Sequence, residues 1–450
     1  MTVVIAAPAS GSGKTLISMM LLSWARAQGE SIQPFKVGPD YLDSQLLSAA
    51  AGRSCRNLDV NLCGNPWVNR AFCGYGGVCT MALVEGVMGL FDGIGSTEEN
   101  STAAFARLFN LPVVFVVNAR GQAASLGALI SGFRDHDPEI SLAGVVINCV
   151  NNDRHRLLLE DVLDRLGVQL LGCIPRTDAL QLPSQHLGLV PVHQLKQLEQ
   201  RRQAWADLAK RHLDLKRLEP LLQAPTAGPS VLSDIPKNTG LSLPVAVATD
   251  AAFHFQYPET TELLTHLGMP ILEWSPLANE AIPNRAKGLI LPGGFPEQYA
   301  EQISHATRSL RSLRQFCQHK PVYAECGGML LLSRQLRDLN DIDHTMANVL
   351  PFNARQGRLQ VGYRHLRVRK DGLLVRRGEH FTGHELHHWE MVDRDDATGD
   401  SVLWQIRGWL IDQHLEGWSR RKLHASWVHL HWASRLTMCY RWRDALAIQS

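Results

Sequence analysis

Short, uniformly apolar runs alternate with segments of helical spacing over the first 175 residues of the chain. Val3–Ala7, Met81–Glu85, Leu111–Asn118 (LPVVFVVN) and Ala143–Asn148 (AGVVIN) read as strands, and Lys14–Gln28 reads as a helix. A strand that is apolar on every side chain is buried on both faces, which is the condition of a parallel sheet covered by helices. From about Pro191 the pattern changes. Gln194–Leu222 is charged and Arg-rich, with Leu195, Leu198, Trp205 and Leu208 at helical spacing. Residues 223–242, QAPTAGPSVLSDIPKNTGLS, have the Pro, Gly, Ser and Thr content of a linker. A second α/β pattern starts at Leu243. PVAVAT is a strand, Tyr257–Leu267 a helix, KGLILPGG a strand entering a glycine turn, and KPVYAEC a strand ending on a cysteine. The last 100 residues carry many His and Trp in short strand-like pieces, and no internal repeat is seen. The expected architecture is two doubly wound α/β domains, residues 1–190 and 243–450, joined by a helix and linker over 191–242.

Composition changes this picture little. At about 100–200 residues per domain, two or three domains are expected. With 45% hydrophobic and 20% charged residues, the balance is that of a globular protein with sizeable cores. A formal net charge of +2 demands neither a nucleic-acid nor a membrane partner. The nine cysteines form no paired CxxC motif, so a reducing compartment with mostly buried thiols is expected rather than a disulfide framework. MTVVIAAPAS has no basic segment before its short apolar run and reads as a first strand rather than a signal peptide. No apolar stretch approaches the roughly 18 residues of a membrane span, and the cytoplasm is the expected location.

Two turns carry candidate chemistry. In APASGSGKT, residues 7–15, a strand enters a glycine loop that opens a helix, the context a phosphate-binding loop needs. Ser10, Gly11, Ser12 and Gly13 let backbone N–H groups face a phosphate, and the helix N-terminus adds a favourable field. Lys14 reaches terminal phosphates and the Thr15 hydroxyl suits Mg²⁺. Pro8 stands where the strict pattern wants glycine, and the competing reading is an ordinary Gly/Ser loop before a helix. KVGPDYLD places Asp40 and Asp43 after a strand, and VEGVMGLFDG places Glu85 at a strand end and Asp92 in a glycine-rich loop. Acids at strand C-termini face the ligand crevice, where Asp40 and Glu85 are candidates to hold Mg²⁺. The alternative is that they cap helices and turns. For Glu85 the functional reading is favoured, because a carboxylate closing an apolar strand is costly without a partner.

The second turn is YAECGGM. Cys326 ends an apolar strand, two glycines follow, and a helical run MLLLSRQL comes next. This resembles a nucleophile elbow, in which a tight turn exposes the thiol and the helix N-terminus favours the thiolate. HASWVHLHW supplies His424, His429 and His431 as candidate bases, and strand alternation places His429 and His431 on one face. N–H groups of Gly293 and Gly294 in LPGGF, together with Gly327, are candidates for an oxyanion hole. Metal binding is the alternative for the histidines of GHELHHW and HLHW, although neither HExxH spacing nor a Cys/His quartet accompanies them. Trp404, Trp409, Trp418, Trp427, Trp432 and Trp442 are expected in the core.

With these residues in view, the chain resembles the cobyrinate a,c-diamide synthase family and, more broadly, dethiobiotin-synthetase-type amidoligases. The resemblance rests on ASGSGKT, KVGPDYLD, VEGVMGLFDG, GVVINCVNNDRH, FQYPE, LPGGFPE, YAECGGM, GHELHHW and HASWVHLHW, and covers nearly the whole length. It implies a P-loop NTPase-like parallel sheet followed by a class I glutamine amidotransferase-like domain. It implies ATP as co-substrate with Mg²⁺, and glutamine and cobyrinic or hydrogenobyrinic acid as substrates. The a and c acetate carboxylates would be amidated through acyl phosphates. Residue by residue, Cys326 is the implied nucleophile and His429 its base. Lys14 and Thr15 bind phosphate and Mg²⁺, and Glu85 is a Mg²⁺ ligand. Asp40, Tyr41, Leu42 and Asp92 handle substrate or phosphorylated intermediate, and Asn148 recognises adenine.

Two positions depart from the wider pattern. His431 stands where class I glutaminases have the glutamate two residues after the histidine, so no third member is assigned to the Cys326–His429 pair. Asn118 in VVNARG replaces an aspartate. Two further readings stay open: the same chemistry on another tetrapyrrole acid such as Ni-sirohydrochlorin, or a P-loop regulatory ATPase with a glutaminase-like sensor domain. Small-molecule partners are expected, with neither nucleic acid nor membrane, and a homodimer is the assembly considered.

Overall fold

The computed structural model describes residues 1–176, 191–238, 240–393 and 402–448. The chain divides into two compact units, Met1–Ser233 and Asp234–Ser450.

The first unit is built on seven strands: β1 (Val3–Ala6), β2 (Ile32–Val37), β3 (Arg56–Leu58), β4 (Met81–Glu85), β5 (Val113–Asn118), β6 (Leu142–Val150) and β7 (Leu170–Pro175). They pair in parallel in the order β3-β2-β4-β1-β5-β6-β7. Both faces of the sheet are covered, as uniformly apolar strands require. One face packs on Ile17, Met20, Leu21 and Leu46, and the other on Phe72, Phe105, Leu126 and Leu159. Lys14–Ala27 forms α1 and Leu42–Ala51 forms α2. The helix Leu198–His212 contributes Trp205 and Leu208 to the same core as α1.

The segment read as a linker is held against this unit over its first half. A Cβ on Gly74 would come within 2.7 Å of Pro229 O, and one on Gly77 within 2.2 Å of Ala227 Cα. These glycines let the Pro-rich chain lie directly on the helix Asn65–Gly76, with Val231 joining the core. Residue 239 of that segment lies outside the described residues.

The second unit has a parallel centre and an antiparallel extension. Its strands are β8 (Val245–Ala248), β9 (Phe253–Phe255), β10 (Ile271–Trp274), β11 (Gly288–Leu291), β12 (Gly293–Gly294), β13 (Val322–Glu325), β14 (Gln335–Arg337), β15 (Asp343–Thr345), β16 (Asn353–Val368), β17 (His380–Val392), β18 (Val402–Gly408), β19 (Ile411–Arg420) and β20 (Leu423–Ser426). The main sheet runs β10-β8-β11-β13-β20-β19-β18-β16-β14-β15, with β17 on β16, while β12 and β9 form a separate pair. The strands β10, β8, β11, β13 and β20 are mutually parallel. The C-terminal pieces expected to be short are long here: β16 has 16 residues, β17 has 13 and β19 has 10. Arg, His and Gln on their exposed faces interrupt the apolar runs, so a half-solvated antiparallel strand does not show as one hydrophobic block. Trp404, Trp418, Trp427, Trp432 and Trp442 are buried, whereas Trp409 is 60% exposed in the turn between β18 and β19.

Candidate active sites

In the first unit, strand order brings the motifs together. β2, β4 and β1 are neighbours, and their C-terminal ends carry Asp40, Glu85 and the glycine loop respectively. Gly11 (φ +78°) and Gly13 (φ +111°) adopt left-handed backbone, and α1 begins at Lys14. A Cβ on Gly13 would lie 2.3 Å from Asn148 Nδ2, so glycine is required there sterically as well as conformationally. Asn148 Nδ2 donates to Ser12 O at 3.0 Å, which braces the loop from β6. Ser12 Oγ donates to Ala9 O at 2.8 Å inside the loop, and Ser10 and Gly11 are exposed at its tip. The carbonyl of Pro8 would lie 2.6 Å from a Cβ on Gly89, so the loop after β4 needs glycine at that position.

Behind the loop lies a charged cluster. Thr15 Oγ1 donates to Glu85 Oε1 at 3.0 Å and approaches Asp43 Oδ1 at 3.5 Å. Lys36 is fully buried between Asp43 and Glu85, with Nζ 2.5 Å and 2.8 Å from their oxygens. The register of the parallel sheet explains this, since Lys36 is the direct cross-strand neighbour of Glu85. Burial works against the Lys36 charge, but Asp43, Glu85 and Asp40 outweigh it and hold the ammonium protonated. Burial raises Glu85 against the pull of Lys36, and burial with the neighbouring Asp43 charge pushes Asp40 up to about 7. Lys14, which donates to Met88 O, is lowered to about 8 by burial and then by Lys36. A P-loop lysine lying over the VEGVMGLFDG loop therefore still carries its charge at neutral pH, but holds its proton less firmly than a free lysine.

The other residues expected here are placed as follows. Asp40 Oδ1 accepts from Asp43 N at 2.8 Å, Tyr41 is the buried N-cap residue of α2, and Leu42 is its first residue. Asp92 is exposed and accepts from Gly89 N at 2.8 Å, which ties the loop end together. Lys36 is the residue that sequence reasoning missed. Its signal was present, because a lysine inside the apolar run IQPFKV is costly unless paired.

In the second unit, β13 lies between β11 and β20 and delivers Cys326 at its C-terminal end. Cys326 has φ +46° and ψ −107°, a conformation that costs a non-glycine residue on the order of 1–3 kcal/mol. Neighbours enforce it. Cys326 N donates to Ser426 O at 2.8 Å, and a Cβ on Gly328 would come within 2.1 Å of Leu291 O. Gly293, Gly294 and Gly327 converge beside the thiol: a Cβ on Gly327 would sit 3.0 Å from Gly294 N, and one on Gly293 2.5 Å from His429 Cε1. The helix that follows, Gly327–Leu331, has only five residues, so the charge partner of Cys326 is a side chain.

That side chain is His429. Residues 427–431 do not form a strand, and His429 is held by one two-way bridge: His384 N donates to His429 O at 3.0 Å and His429 N to His384 O at 2.8 Å. Burial disfavours its imidazolium, but hydrogen bonds to Cys326 and Glu325 outweigh burial and raise His429 to about 10. Burial instead pushes His384, His424 and His431 down to about 3. Of the candidate bases, His429 alone is protonated at neutral pH and faces the nucleophile. His424 stacks on Tyr323 at 4.8 Å, and His431 lies against Tyr257 and within 4.0 Å of Glu259 from FQYPE. In GHELHHW, Glu385 pairs with buried Arg364, His387 stacks on Trp427 at 4.1 Å, and Leu386 O is 3.8 Å from Cys326 Sγ. Among the described residues, no group of three or more His, Cys, Asp or Glu side chains is placed to hold a metal ion.

Glu325 was also missed. Its Oε2 lies 3.2 Å from His429 Nδ1, and its Oε1 accepts from Leu430 N at 3.0 Å and from the Tyr323 hydroxyl. It is a carboxylate closing an apolar strand, the same signal that singled out Glu85.

Comparison with known proteins agrees with both halves. Residues 3–190 match the family described as CobQ/CobB/MinD/ParA nucleotide binding domain, and residues 244–437 match CobB/CobQ-like glutamine amidotransferase domain. The chain is 39% identical to a cobyrinate a,c-diamide synthase of Synechocystis sp., over all of this chain and 94% of that protein. It is 38% identical to one of Gloeobacter violaceus, over all of this chain and 98% of that protein. It is 37% identical to a hydrogenobyrinate a,c-diamide synthase of Streptomyces coelicolor, over 96% of this chain and 94% of that protein.

Proposed function

From the premise that the chain belongs to the cobyrinate a,c-diamide synthase family, we propose that it amidates the a and c acetate carboxylates of cobyrinic or hydrogenobyrinic acid, using ATP and glutamine. The observation that carries the glutaminase half is a strained Cys326 facing the one candidate histidine that holds a proton. The Cys326 thiolate attacks the glutamine side-chain amide, and N–H groups around Gly293, Gly294 and Gly327 receive the oxyanion. His429 gives its proton to the departing ammonia. It then takes a proton from the water that cleaves the glutamyl thioester, releasing glutamate.

In the first unit, ATP phosphorylates a substrate carboxylate, and ammonia displaces phosphate from the acyl phosphate. A carboxylate is a poor acyl donor, and phosphorylation supplies the leaving group. Ser10–Gly13 and Lys14 cradle the phosphates, Asp40, Tyr41, Leu42 and Asp92 border the acceptor, and Asn148 is assigned to the adenine side while bracing the loop. Mg²⁺ fits the donor chemistry: Thr15 and Glu85 offer hard oxygens, with Asp40 and Asp43 beside them. They are too few for an all-protein cage and suit an ion that arrives with nucleotide phosphates, whose charge it would neutralise. The cytoplasm, small-molecule partners and a homodimer complete this reading. No helix among the described residues is long and apolar enough to cross a membrane.

Cys326→Ala should abolish glutamine-driven amidation yet keep activity with an ammonium salt, read by product mass with cobyrinic acid. Glutamine use at the wild-type rate by this variant would sink the nucleophile assignment. The intact Cys326–His429 pair favours this reading over a regulatory ATPase with an inactive sensor domain.

A further inference from the structure

Cys326 and Glu325 are consecutive on β13, and both are tied to the chain that leaves β20. Cys326 N bonds Ser426 O, while Glu325 bonds His429 and Leu430 on the same stretch. Glu325 is itself nine-tenths buried, at 6% exposure. The other carboxylates nearby are committed elsewhere: Glu385 to Arg364, and Glu416 to Trp404 Nε1, Ser426 Oγ and Trp427 N. His431, two residues after the base, lies beside Glu259 and Tyr257. The carboxylate on His429 Nδ1 therefore comes from the residue before the nucleophile.

We propose that Glu325 is a positioning residue of the glutaminase, holding the His429 Nδ1–H so that Nε2 faces Cys326 and stabilising the imidazolium formed there. This rests on the Cys326–His429 reading. The carboxylate has two acceptor oxygens for three donors, His429 Nδ1–H on one, and Leu430 N–H and the Tyr323 hydroxyl on the other. Glutamine has one acceptor oxygen. In Glu325→Gln an NH₂ must face either Leu430 N–H or His429 Nδ1, and the latter arrangement drives His429 to the tautomer that cannot serve Cys326.

The groups facing His429 are Cys326, Glu325 and His384, with Arg364 and Glu385 behind His384 and neutral His424 beside Tyr323. In the wild type, glutamine hydrolysis should fall as pH rises through about 10, where His429 loses its proton. Glu325→Gln should lower kcat for glutamine hydrolysis by about 100-fold or more with KM nearly unchanged, and move this alkaline limb to lower pH by about one unit or more. Ammonia-driven amidation, which bypasses the site, should stay near wild type and reports folding. Glu325→Asp keeps the charge and should recover much of the lost kcat and the alkaline limb, whereas Glu325→Ala should not. Wild-type kcat and alkaline limb in Glu325→Gln, or Glu325→Asp no better than Glu325→Ala, would overturn the proposal. Glutamine hydrolysis surviving in Cys326→Ala would instead overturn the glutaminase reading on which it rests.

Discussion

Gly293→Ala isolates geometry from chemistry in the glutaminase site. The substitution keeps the backbone N–H assigned to the oxyanion and the ordinary φ of this residue. It adds one methyl group, 2.5 Å from His429 Cε1, 3.3 Å from His429 Nε2 and 3.2 Å from Phe255 Cδ2. Ordinary contact begins near 3.4 Å, so the imidazole must retreat by about 1 Å, and a displacement of that size can cost about 100-fold in rate. That loss is about 2.7 kcal/mol of activation free energy. His429 has little room to retreat elsewhere, because its backbone is bridged to His384 and its Nδ1 to Glu325. The assay is glutamate release from glutamine alongside ammonium-driven amidation in the same preparation. The first should fall by about two orders of magnitude and the second should hold. Glutamate release within about threefold of wild type would show that His429 is not held against Gly293 in the working enzyme, and the geometric reasoning would fail.

Two more predictions concern the first unit. Lys36→Met leaves the buried Glu85 and half-buried Asp43 carboxylates without their partner, which should cost about 3–5 kcal/mol of that unit's stability in urea unfolding, together with ammonium-driven activity; a change below about 1 kcal/mol would refute the pairing. Gly132 is exposed within the helix Ser125–His136, has an ordinary φ, and an added Cβ there would meet nothing within 4 Å, so Gly132→Ala should raise stability by about 0.4–1 kcal/mol, and a lowered denaturation midpoint would count against it.

Much of the site was legible because its parts are local. The glycine loop and the cysteine turn are each a strand, a turn and a helix start within about ten residues, and their backbone demands appear as glycines in the sequence. The strands β1, β4, β5, β8, β11 and β13 were legible for a similar reason, since burial on both faces writes an unbroken apolar run. The long hairpins β16–β19 were not, because one solvated face breaks the run into alternation.

By itself, then, the sequence determined where the two reactive turns lie, that parallel strands carry them, and that His429 was among three candidate bases. Only the tertiary structure decided which charges meet. Lys36 meets Glu85 because β2 and β4 are neighbours in register, and Glu325 meets His429 because β13 lies beside β20 and the stretch after β20 is bridged to His384 of β17. The protonation that separates His429 from His424 and His431 follows from those partners and from burial. Side-chain pattern specifies that a strand is buried but not which strand lies beside it, so the partners of buried charges are settled by strand order and register.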